Sequence, residues 1–156
     1  MDISKKVLDV LIDYDYKIAF AESITGGGLA YELIKNPGAS NVIEYSVVTY
    51  SKEAKRDVLL INETLFDVHG IVSKVISMEM ASQIKKLSKA DIGVGITGNA
   101  GPTAQANSQV GEIWFSIAYK EEVYSYHIQL RDEPRELILE NAIKVVYQMI
   151  YKLLTK

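Results

Sequence analysis

The segment Phe20-Ala21-Glu22-Ser23-Ile24-Thr25-Gly26-Gly27-Gly28-Leu29 constrains the fold more than any other stretch of the chain. An apolar run over residues 18–21 stops at Glu22-Ser23, three glycines follow, and an apolar helical pattern then begins at Leu29, Leu33 and Ile34. That order predicts a strand, a tight turn and a helix, with a serine hydroxyl at the turn. Glycine is costly in a helix, at roughly 1 kcal/mol relative to alanine in its interior and somewhat less in its first turn. A chain that only had to turn would manage with one. Three imply close approach to the backbone, and a helix start attracts anions.

The rest of the chain supplies elements of both kinds. Ile3, Val7, Val10, Leu11 and Tyr14 recur at helical spacing behind Asp2, a plausible cap. The second helix is expected over residues 27–35, closed by Asn36-Pro37-Gly38. Residues 42–50 read as a strand, and Ser51 caps a helix to about residue 60. A short helical turn is expected over 65–69, and Ser73 caps the next helix, with Ile76, Met80, Ile84 and Leu87 on its apolar face. Residues 92–97 read as a central strand, 98–109 as a loop, and 110–119 with 123–130 as a hairpin. The last helix is expected to start near residues 132–134, with Pro134 in its first turn. βα units followed by a late hairpin predict an α/β fold: a layered α/β sandwich on a mixed β-sheet with helices on both faces. With 156 residues, this suits one domain over 1–156.

Composition closes off several chemistries. There is no cysteine, which removes disulfides, thiolate metal sites and a cysteine nucleophile, and fits a reducing, cytoplasmic compartment. The formal charge of −3, with no Lys/Arg cluster, gives no expectation of nucleic-acid binding. No apolar run approaches the ~18 residues of a membrane span.

Four segments are candidates for chemistry, each with a plain alternative. Ser23 reads equally as a helix cap or as a nucleophile at the ends of the strands. The turn is neither a Walker A loop, since Leu29-Ala30 follows Gly28, nor a Gly-x-Ser-x-Gly elbow. The two histidines make poor partners for it. His69 reads as a helix-ending residue before Gly70, and His127 as a surface or edge residue in a strand. A desolvated lysine is the other base open to serine. Lys55, just over one turn into the helix after Tyr50, leans back toward that junction; the plainer reading of Lys52, Lys55 and Arg56 is a solvated helix face. The Gly93, Gly95 and Gly98 pattern mimics a dinucleotide fingerprint, but Gly93 and Gly95 lie inside the strand and no helix follows. Close packing of a neighbour is the better account of Gly93 and Gly95, and the loop after Thr97 is a candidate ligand wall. Arg131 and Arg135 flank the start of the last helix, as surface charge or as anion contacts.

Taken together, these segments resemble the CinA C-terminal domain family. Residues 21–27 resemble its A-E-S-x-T-G-G motif, 36–40 its P-G-x-S turn, 49–55 its Y-S-x-x-A-K segment, 69–73 its H-G-x-V-S, and 97–102 its T-G-x-A-G-P; Val110-Gly111 matches its V-G. The stand-alone members are nicotinamide-nucleotide amidases. The resemblance therefore implies hydrolysis of nicotinamide mononucleotide to nicotinate mononucleotide and ammonia, with no metal and no cofactor. It implies Ser23 as nucleophile, Lys55 as base and Tyr50 as the assisting residue. Substrate contacts are expected from Glu22, Thr25, Gly26, Gly27, Gly28, Thr97, Gly98, Asn99, Ala100, Gly101, Arg131 and Arg135. The partner is a small pyridine nucleotide, and the family suggests a homodimer. Two departures stand out. Residues 103–109 replace a loop that is glycine-rich in the family and followed by Lys-Pro. Gln129-Leu130-Arg131 replaces Gly-Asp-Arg, although Arg131 and Arg135 keep their spacing. The altered loop motivates an alternative: a nucleotide-phosphate binding module of the same fold without turnover.

Overall fold

The computed structural model describes residues 2–103 and 108–156. The departing loop is thus described only at its ends, and Ala104 to Asn107 lie outside the described residues. In chain order the elements are α1 (Ile3–Tyr14), β1 (Ile18–Glu22), α2 (Gly28–Ile34), a 3₁₀ turn (Ala39–Asn41), β2 (Ile43–Val48), α3 (Lys52–Leu59), α4 (Glu63–His69), α5 (Lys74–Ser88), β3 (Ile92–Gly98), β4 (Glu112–Tyr119), β5 (Glu122–Gln129) and α6 (Arg135–Leu154). The strands form one sheet in the order β2-β1-β3-β4-β5. β1 runs parallel to β2 and β3, while β4 is antiparallel to β3 and β5 to β4. The C-terminal ends of β1, β2 and β3 therefore share one end of the sheet, where open α/β sheets hold their ligands.

Alternation along β1 and β3 decides what covers each face. Ile18, Phe20, Ile92, Val94 and Ile96 point to one side and are sealed by Leu8 and Leu11 of α1, Leu29 and Leu33 of α2, and Ile138, Val146 and Ile150 of α6. Ala19 and Ala21 point to the other, where Leu59, Phe66, Ile76, Met80 and Ile84 of α3, α4 and α5 pack. Small residues on that face let α5 lie almost on the sheet backbone. A Cβ on Gly93 would fall 2.4 Å from the Ala81 carbonyl oxygen, and one on Gly95 2.5 Å from the Ala81 nitrogen. The close-packing account of these two glycines holds, and the mixed sheet with helices on both faces is as expected.

Caps fall where side-chain chemistry places them. Asp2, Ser51 and Ser73 each accept a backbone N–H of the helix that follows. Several boundaries differ from expectation by one or two residues, and three of them have a clear local cause. α2 starts at Gly28, because Gly27 sits at φ +102°, outside the helical region. β2 ends at Val48, because the next two carbonyls turn away to bind Lys55. Pro134 is the cap of α6 rather than part of its first turn; its carbonyl accepts from Leu137 and Ile138. No helix of the described residues is long and apolar enough to cross a membrane.

Candidate active site

Three strand ends build the site. Ser23 follows β1, residues 49–55 follow β2, and Thr97 to Gly101 close β3. Lys55 lies on the same side of α3 as Leu59, one turn later, and both are buried. Its ammonium is therefore carried into the protein, and Lys55 is 0% exposed. There Nζ meets three oxygens: the Ser23 hydroxyl at 2.8 Å, the Thr49 carbonyl at 2.7 Å and the Tyr50 carbonyl at 3.0 Å. Burial with no carboxylate in contact lowers the lysine from 10.5 to about 8. The two carbonyls fix the direction of the amine. With Lys55 neutral, two N–H bonds serve the carbonyls and the lone pair is left facing the Ser23 O–H.

Ser23 is the link between this buried amine and an open cavity. It is 6% exposed and lines a cavity of about 410 Å³ together with Tyr50, Lys52, Ile71, the residues of the 97–103 wall and Arg135. Lys55 lies behind it. Other clefts are as large, such as that of about 540 Å³ beside Asp2, Glu32 and Glu140, but none of them is lined by Ser23.

The wall has its own scaffold. Thr97 donates its hydroxyl to the Ile71 carbonyl at 3.0 Å, and the Asn99 side-chain oxygen accepts the Gly101 N–H at 3.0 Å. Arg135, the first residue of α6, spans the mouth. It donates to the Tyr50 hydroxyl at 2.8 Å and to the Gly101 carbonyl. Tyr50 thus contributes two atoms at different depths. Its carbonyl holds Lys55, while its phenol stands at the rim, the residue being 57% exposed.

The structure brings Ser23, Tyr50, Thr97, Gly98, Asn99, Ala100, Gly101 and Arg135 onto one cavity, with Lys55 immediately behind. It does not bring the other expected contacts there. Glu22 is fully buried, and its carboxylate accepts the Thr25 hydroxyl at 2.6 Å and the N–H groups of Leu29 at 2.8 Å and Ala30 at 3.0 Å. The start of α2, expected to hold an oxyanion or a phosphate, is thus occupied by the protein's own carboxylate. Gly26 and Gly28 also spend their N–H groups inside the turn, on the carbonyls of Ser23 and Thr25. The triple glycine serves shape instead. Gly26 and Gly27 take positive φ, and a Cβ on Gly28 would lie 2.6 Å from Ile143 of α6. Arg131 is exposed and does not line the cavity. Ser23 is not the cap of α2; Gly27 holds that place.

Sequence reasoning missed Ile24, Ser51, Lys52 and Ile71 as lining residues, while Pro102 and Thr103 belong to the loop read as a ligand wall. For Lys52 a signal existed, since it lies three residues from Lys55 on the same side of α3. Ile71 arrives from a distant loop and leaves no local signal. The histidines stand as read. His69 is exposed at the end of α4, and His127 pairs with Glu112 and stacks on Trp114. Arg56 makes surface contacts with Asp57 and Glu63, the plain reading of that charge.

Known proteins with the same pattern agree in family. The CinA C-terminal domain matches residues 1–154. A CinA-like protein of Shewanella halifaxensis is 34% identical over 151 residues, covering 96% of this chain and 36% of that protein. A CinA-like protein of Flavobacterium psychrophilum is 35% identical over 148 residues, covering 94% and 35%. The chain thus spans about a third of the length of the curated relatives it matches. Among solved structures, a competence-damaged protein (CinA) superfamily protein of Klebsiella pneumoniae superposes with a TM-score of 0.95 at 28% identity, covering 98% of this chain and 96% of that one. A competence/damage inducible protein of Agrobacterium tumefaciens superposes at 0.93 with 26% identity, covering 99% and 94%.

Proposed function

The chain belongs to the CinA C-terminal domain family, and from that premise we propose that it is an amidohydrolase converting nicotinamide mononucleotide to nicotinate mononucleotide and ammonia through a Ser23–Lys55 pair. The observation that carries the reading is the 2.8 Å contact between a buried lysine amine and a serine hydroxyl at the floor of a cavity. A lysine lowered to about 8 holds a usable neutral fraction near neutral pH.

The steps follow from that geometry. Neutral Lys55 takes the Ser23 proton as Oγ bonds to the carboxamide carbon. The carbonyl oxygen becomes an oxyanion, for which we assign the Ala100 N–H of the wall as donor, since Gly26 and Gly28 give their N–H groups to the Ser23 and Thr25 carbonyls, and Asn99 and Gly101 give theirs to the Glu112 carbonyl and the Asn99 side chain. The carbon–nitrogen bond breaks, Lys55 returns its proton to the departing nitrogen, and ammonia leaves an acyl-enzyme on Ser23. Water from the cavity attacks the acyl carbon, giving its proton to Lys55. The ester bond breaks, Lys55 returns the proton to Ser23 Oγ, and the acid product gives its own proton to solvent and departs as the carboxylate. The Thr49 and Tyr50 carbonyls keep the amine aimed throughout, so little reorganisation accompanies each transfer. The substrate assists, because its cationic pyridinium disfavours the charged form of Lys55.

Ammonia release from nicotinamide mononucleotide by the purified protein tests the reading, with Ser23→Ala and Lys55→Ala as controls. We expect each variant to lose at least three orders of magnitude in rate. Near-wild-type release by either removes the mechanism. Saturable nucleotide binding without release would favour the binding-module alternative. The homodimer is carried as part of the same proposal, and light scattering of the purified protein tests it.

A further inference from the structure

The cavity that opens onto Ser23 is lined by two cationic side chains, Lys52 and Arg135, and by no carboxylate. That is unusual in a chain with net charge −3. Neither cation is well neutralised nearby. The carboxylate nearest Lys52 is that of Glu63, at 3.8 Å, and Glu63 is shared with Arg56 at 3.5 Å. Both groups are substantially exposed, so the contact contributes little. Arg135 gives its guanidinium to a phenol and a backbone carbonyl, and no ion pair is formed by it among the described residues. Its two bonds hold the guanidinium rigidly at the mouth, so an anion meeting it there loses little further entropy.

We propose that Lys52 and Arg135 form an anion subsite that binds the phosphate monoester of the substrate at the cavity mouth, while the reacting group sits at Ser23. This rests on the amidase reading for the second half and on cavity charge alone for the first. It moves the phosphate from the start of α2, which Glu22 occupies, to the two cations facing the same cavity as the nucleophile. A zwitterionic nucleotide fits this arrangement. Its dianion meets Lys52 and Arg135, and its pyridinium lies toward the deprotonated Lys55 rather than toward a second cation. The subsite makes the phosphate a selectivity element: the nucleotide is favoured over the uncharged-tail riboside with the same carboxamide.

Two measurements on the full chain test this. The first is the ratio of kcat/KM for nicotinamide mononucleotide over nicotinamide riboside. We expect that ratio to fall about tenfold in Lys52→Ala and about a hundredfold in Lys52→Glu, the loss and reversal of one charge-assisted contact. The second needs no turnover: ribose 5-phosphate titrated against ribose by calorimetry. We expect saturable binding of the phosphate ester alone, weakened in the same order by the two variants. Thermal melts confirm that both variants fold. An unchanged selectivity ratio in both variants overturns the subsite, as does ribose 5-phosphate binding that Lys52→Glu leaves untouched. Wild-type protein that releases no ammonia from either substrate, yet loses ribose 5-phosphate binding in Lys52→Glu, removes the amidase reading and keeps the subsite.

Discussion

The carboxylate of Glu22 accepts the backbone N–H of Leu29 at 2.8 Å, so the residue before Ser23 ties the end of β1 to the start of α2. The other carboxylate oxygen takes Ala30 N–H at 3.0 Å, and Thr25 donates its hydroxyl at 2.6 Å. Three donors and the partial positive charge of a helix start compensate a carboxylate that is fully buried. Gln in its place must aim an NH₂ group at one of these donors. We expect Glu22→Gln to lower stability by about 1–3 kcal/mol in urea denaturation. Ammonia release should fall about tenfold as well, because Ser23 is held from the same turn. A variant with wild-type stability and rate would show that the tie does not position Ser23.

Glycines in this chain separate by what stands around them, and substitution reads the difference. A Cβ on Gly95 would sit 2.5 Å from the Ala81 nitrogen and 2.7 Å from the Ser77 carbonyl oxygen. Those are backbone atoms of α5, and they cannot swing aside. Gly95→Ala is expected to cost about 2–3 kcal/mol as α5 is levered off the sheet. Gly26 has nothing within 4 Å of such a Cβ, and only its φ of +59° resists alanine. Gly26→Ala is expected to cost about 1 kcal/mol. Chemical denaturation of the two variants side by side checks the order, and equal costs would overturn it.

The legible part of this fold is the part written in local pattern. Asp2, Ser51 and Ser73 announce their helices because a cap satisfies N–H groups two or three residues away. The strand with Gly93 and Gly95 was readable because small residues on one side of a strand imply a close neighbour. What was not legible is where a polar side chain spends its hydrogen bonds. Lys55 looks like its neighbour Arg56 in sequence, yet one is buried against Ser23 and the other lies on the surface. The distinction comes from the sheet order that brings the ends of β1 and β2 together. Glu22 misled in the same way. Its partners Leu29 and Ala30 lie seven and eight residues on, too far for capping rules to reach.

The rate should carry the signature of Lys55 as base. Its amine sits near 8 in the free protein, lowered by burial. The log of kcat/KM is therefore expected to rise by one per pH unit below that point and to level above it. Bound substrate places a cationic ring nearby, which disfavours protonation of the lysine further. The corresponding limb of kcat is thus expected at lower pH than that of kcat/KM. A stopped assay of ammonia between pH 6 and 10 checks both. A kcat/KM profile flat across that range would remove Lys55 as the base.

The same lysine links stability to pH, in a direction opposite to that of a lysine held in a salt bridge. In the unfolded chain it titrates near 10.5, and in the folded protein near 8. Between those values the unfolded chain holds a proton that the folded protein has released, so raising the pH favours folding. Below about pH 8 both states are protonated, and the folded protein bears the full cost of a buried ammonium. Between pH 7 and pH 10 we expect the wild type to gain about 2.5 kcal/mol relative to Lys55→Met, which has no amine to titrate. Taking the difference between the two proteins cancels the tyrosines and surface lysines common to both. Urea denaturation at the two pH values measures it. A difference that stays constant would mean that Lys55 is not desolvated in the folded protein, and would take away the physical ground for its acting as a base.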